Sequence, residues 1–207
     1  MNQSHPPESE VYVIQRQGVM PAEGMDNETG TMGMAIFLLS LSVLFAASLV
    51  GYFVIRFQSE SWPPPGMPGL PSGLWLSTLL ILISSVTIQG AVFSVRNDSL
   101  KLMCGFLVIT TILGCGFLAC QILNWRGLLA SQVPPTANLY AYTFYTLTGL
   151  HAAHVIGGLF HLFIVTIKAF QGRYWSLSYP GVRYAAMYWH FLDVVWLILF
   201  TALVVFG

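Results

Sequence analysis

Charge is what this sequence has least of. Only 8% of its 207 residues are Asp, Glu, Lys or Arg, against about 25% in an ordinary soluble domain. Eight basic and eight acidic residues cannot clothe a water-soluble protein of this size, and 56% of the chain is hydrophobic. Lipid must therefore solvate most of the surface. The two signs balance and no basic run occurs, so nothing points to nucleic acid as a partner.

Cysteine is scarce too. Cys104, Cys115 and Cys120 fall in one apolar stretch, and an odd number inside a membrane helix is not a disulfide framework. Cys115 and Cys120 stand about 140° apart around a helix, so they do not converge on a metal. They read as small apolar packing residues. A nucleophile with its base, a glycine loop for phosphate and a pair of carboxylates are all missing, and with them the usual signatures of hydrolysis and phosphoryl transfer.

What is present is long apolar runs. Five of them, over 32–55, 72–95, 102–125, 139–169 and 184–206, approach or exceed the ~20 residues needed to cross ~30 Å of hydrocarbon. None holds an internal proline, which argues for unbroken helices. Pro63, Pro64, Pro65, Pro68 and Pro71 crowd the first loop, Pro134 and Pro135 mark the third, and Pro180-Gly181 the fourth. Residues 1–30 read as a polar extramembrane tail with no basic start or apolar core, and so not as a signal peptide. Residues 31–207 read as an all-α, polytopic transmembrane bundle of five helices. Arg16, Arg96, Lys101, Lys168, Arg173 and Arg183 lie on the N-terminal side, against Arg56 and Arg126 opposite. The positive-inside rule then puts the N-terminus in the cytoplasm and the C-terminus outside. Small residues one turn apart, Ser42 with Ala46, Ala47 with Gly51 and Ala153 with Gly157, suggest close helix contacts.

Polar groups at bilayer depth carry the most information, because each is costly and needs a partner. Asp193 falls near the middle of the fifth run, where a carboxylate costs about 2.5–3.5 kcal/mol on insertion scales. His190 lies three residues earlier, on the same helical face. The pair reads as a proton relay or, more commonly for such pairs, as a hydrogen bond that locks the helix into its bundle. His151, His154 and His161 fall within about 80° of one another on the fourth helix. Haem ligation would draw on facing helices, with His190 as the second ligand, but no second cluster completes a shell. A structural polar seam is the plainer reading, and Gln89, Gln121 and Asn124 join it as interhelical hydrogen-bond formers. Inverted repeats and broken helices, the marks of a secondary transporter, are absent. A stand-alone b-type cytochrome would show its own haem spectrum.

The fourth and fifth runs resemble subunit III of the haem–copper terminal oxidases, the cytochrome c oxidase subunit III family. LTGLHAAHVIGG (147–158) matches the pattern Thr-Gly-x-His-x-x-His-x-x-x-Gly, and YWHFLDVVW (188–196) matches that family's most diagnostic string. SSVTIQGA (84–91) is similar to its second-segment pattern, with Gln89 where a His is common, and MGMAIFLLSL (32–41) to the run that opens its core. The resemblance covers roughly 31–207. It implies a five-helix bacterial form in the plasma membrane that binds no haem or copper itself. Such a subunit packs against catalytic subunit I, which holds the haem and copper, and keeps company with subunit II. It also carries phospholipid, and Lys168 and Arg173 resemble positions that hold lipid head groups. The complex would reduce oxygen to water with electrons from cytochrome c or quinol, translocating protons. Two departures stand out: Leu41 and Asn124 replace carboxylates common in the family, so no proton path through the first can exist here. They bring in an alternative, an accessory protein of a nitric oxide reductase.

Overall fold

The structure, a computed structural model, describes residues 22–176 and 178–207. The helices are α1 (Ala22–Gln58), α2 (Gly73–Arg96), α3 (Leu100–Ala130), α4 (Leu139–Phe170) and α5 (Pro180–Phe206). All five are long and apolar enough to cross a membrane. All but α2 run further than the apolar runs alone, because helical hydrogen bonding continues into the interfacial zone where polar side chains are tolerated. Helix α1 begins at Ala22, inside the segment read as a tail; the rest of that tail, 1–21, lies outside the described residues. The chain divides into two units within α1, between Phe37 and Leu38. The second unit, Leu38–Gly207, holds everything discussed below.

Backbone contacts run α2 to α3, α3 to α4, α4 to α5 and α5 back to α2. These four helices close a ring. Residues 38–58 of α1 join them through side chains: the Phe45 ring lies 5.0 Å from His154, and Arg56 Nε donates to the Phe206 carbonyl at 2.9 Å. A cleft of about 330 Å³ opens among Ser42, Phe45, Leu49, Phe191, Val195 and Leu199.

The helix ends follow from local chemistry. Asn138 caps α4, its Oδ1 accepting from the Ala141 amide at 2.8 Å, and Pro180 stands in the first turn of α5. At the C-termini of α2, α3 and α4 the same bond pattern recurs: Ser99 N to Ser94 O, Val133 N to Leu128 O and Arg173 N to Lys168 O. This is the Schellman closure, which needs one left-handed residue. Asp98 (φ 53°), Gln132 (φ 61°) and Gly172 (φ 68°) supply it. Asp98 then anchors the opposite loop, its Oδ1 accepting from the Ser176 amide at 3.1 Å.

The small-residue pairs expected to bring helices together do not do so. Ala46, Ala47, Gly51, Ala153 and Gly157 are all exposed. A four-residue period identifies a face without saying which way it points. The close approaches occur instead at Gly114 on α3 and Gly158 on α4, between which the Trp189 ring of α5 is inserted.

Candidate functional site: a polar seam between α2 and α5

Helix α2 carries a stripe of hydroxyls, Ser77, Thr78, Ser84 and Ser85, at the depth of the bundle core. Inside a membrane a hydroxyl proton must find an acceptor within the protein. Ser77 and Thr78 donate to the Leu74 carbonyl at 2.9 and 2.8 Å, and Ser84 to the Ile81 carbonyl at 2.6 Å. That leaves each oxygen free to accept from a neighbour. Trp189 Nε1 donates to Ser84 Oγ and Trp196 Nε1 to Thr78 Oγ1, both at 2.9 Å. Gln121 Nε2 on α3 donates to Ser77 Oγ at 3.1 Å. Each indole thus reaches α2 through a hydroxyl already satisfied by its own helix.

Sequence reasoning missed these two tryptophans and the stripe they meet. The signal was present: Trp189 and Trp196 are seven residues apart, and Ser84 and Thr78 six apart in the opposite sense. That near-equal spacing is what two antiparallel helices in register require.

The residues singled out beforehand fall into three groups. His190 and Gln89 come together, joined by Ser85, which was not among them: His190 Nδ1 lies 2.8 Å from Ser85 Oγ, and His190 Nε2 lies 3.2 Å from Gln89 Oε1. Asp193 stands beside them, but its Oδ2 is 3.9 Å from His190 Nδ1, beyond hydrogen-bond range. The expected His190–Asp193 hydrogen bond is therefore replaced by a bridge from His190 to α2. Residues three apart on a helix share a face, yet a longer-reaching partner on the next helix competes for the ring. Asp193 itself is buried, and neither carboxyl oxygen has a hydrogen-bond partner among the described residues.

The α4 histidines do not converge. His151 is wholly buried, its ring 5.1 Å from Trp196 and 5.6 Å from Phe117, and neither nitrogen has a hydrogen-bond partner among the described residues. His154 turns Nδ1 back on the Leu150 carbonyl at 2.8 Å, while Tyr188 Oη donates to the His154 carbonyl. His161 is half-buried one helical turn before Val165. Among the described residues no three His, Cys, Asp or Glu side chains gather as a metal site would require. Gln121 and Asn124 are both buried on α3. Asn124 lies against Gly73, where a Cβ would strike its Oδ1.

Lys168 and Arg173 are exposed on either side of the α4 closure. Next to them, a groove of about 700 Å³ is lined by Lys101, Cys104, Val108, Ala169 and Phe170. Tyr174 is buried beside Arg173 in the loop that follows. Burial pushes its phenol above the ordinary value, with the Arg173 charge opposing more weakly, so it is a neutral hydroxyl at physiological pH.

Five spanning helices, four of them closed into a ring and stitched by indole-to-hydroxyl bonds, define a polytopic membrane scaffold. The model of the family described as "Cytochrome c oxidase subunit III" matches residues 22–207. Cytochrome c oxidase subunit 3 of Thermostichus vulcanus is 33% identical over 173 residues, covering 83% of this chain and 85% of that protein. The Synechocystis protein of the same name is 34% identical over 170 residues, covering 81% and 72%. A probable cytochrome c oxidase subunit 3 of Mycobacterium bovis is 30% identical over 179 residues, covering 84% and 86%. The chain belongs to the cytochrome c oxidase subunit III family. Membership makes it a subunit of a respiratory oxidase with other oxidase subunits as partners.

Proposed function

We propose that this chain is a non-catalytic core subunit of a proton-translocating haem–copper oxidase. It packs against subunits I and II and stabilises subunit I, where haem and copper are held, while oxygen is reduced with electrons from cytochrome c or quinol. The observation that carries this reading is how the interior polar groups are used. Ser77, Thr78, Ser84 and Gln121 meet Trp189, Trp196 and one another to fix helix to helix. His151 is walled in by aromatic rings. The seam holds a shape.

In this reading the N-terminus is cytoplasmic and the C-terminus outside, in a bacterial plasma membrane. The loop charges support that orientation, and the bacterial sources of the relatives support that membrane. Purification in mild detergent tests the proposal. The chain should bring with it a large subunit carrying haem and copper, and should show no haem band when isolated. A Soret band from the chain alone would overturn the proposal.

Phospholipid binding belongs to the same proposal. Lys168 and Arg173 adjoin in sequence Ala169 and Gly172, which line the groove together with Lys101. A fixed cation beside an apolar groove suits an anionic head group with its acyl chain alongside. Native mass spectrometry of the Lys168→Ala/Arg173→Ala double variant should show fewer retained lipids; unchanged stoichiometry counts against the site.

A further inference from the structure

We draw no further inference here: the strongest candidate, the outer face of α2 and α5 around exposed Gln89 and half-buried His190, is an unpartnered apolar surface, and nothing in the structure shows what covers it.

Discussion

Gly114→Val should abolish stable incorporation of this chain into its complex. The Trp189 ring of α5 reaches across the bundle and ends against the α3 backbone. A Cβ added at Gly114 would lie 2.7 Å from Trp189 Cη2 and 2.9 Å from Leu159 Cδ2. Neither contact can be relieved cheaply. The indole is rigid, buried to 1% exposure, and tied at its other end to Ser84; behind it lies Gly158 of α4, where a Cβ would meet Trp189 Cζ3 at 3.3 Å. Overpacking of a well-filled core costs about 1–3 kcal/mol, and a branched side chain facing a fixed ring belongs at the upper end. The measurement is the amount of this chain recovered with the oxidase from membranes, with Gly51→Val as control, since nothing lies within 4 Å of a Cβ there. Combining Gly114→Ala with Trp189→Phe should recover part of what Gly114→Ala alone loses, because the smaller ring withdraws from the added methyl. Additive losses in that pair would mean that ring and glycine do not touch.

Gly114 also shows where the sequence stops being legible. The five helices could be read from length and hydropathy because the bilayer imposes both, and their order leaves few ways to pack. Which face of each helix turns inward is a different question. In a soluble protein the apolar stripe answers it, but here lipid is as apolar as the core and the stripe disappears. Exposed Phe160 and buried Leu162, two residues apart on α4, are indistinguishable by composition. The pairs Ala153–Gly157 and Ala47–Gly51 were therefore as plausible as Gly114 and Gly158, and it was Trp189, on another helix, that decided between them.

Polar residues restore part of the missing information, since each must be satisfied inside the protein. Of the residues chosen from the sequence as members of a seam, Gln121, Asn124, His151 and Asp193 are buried, while Gln89 is exposed and His190 half-buried. Their partners were less accessible. Asp193 and His190 are close in sequence, yet the His190 ring is taken by Ser85 and Gln89, which are 105 and 101 positions away. Local spacing predicts who could meet, and helix packing decides who does. The pairing of Trp189 with Ser84 and of Trp196 with Thr78 could have been found by matching spacings across two antiparallel helices, a comparison that needs α2 and α5 to be known as neighbours first.

The second large effect is expected at Trp196, where size and hydrogen bonding can be separated. Its ring is fully buried, 4.9 Å from Phe117, 5.1 Å from His151 and 6.3 Å from Phe200. Trp196→Ala leaves a cavity among rings too stiff to collapse into it, and substitutions of this kind cost about 3–5 kcal/mol. Trp196→Phe keeps most of the volume and removes only the indole N–H. Thr78 Oγ1 then loses an acceptor role but still donates to the Leu74 carbonyl, so no proton is orphaned. Interhelical hydrogen bonds in a membrane average only about 0.6 kcal/mol. Packing should therefore dominate: the alanine variant should strip from the complex at much lower detergent concentration, while the phenylalanine variant stays close to the unaltered chain. If the chain is the non-catalytic subunit proposed above, the haem spectrum of the remaining oxidase should be unchanged in both. Equal losses from the two variants would instead place the main contribution of Trp196 in its bond to Thr78, and the seam would have to be understood as held by hydrogen bonds rather than by the rings that surround them.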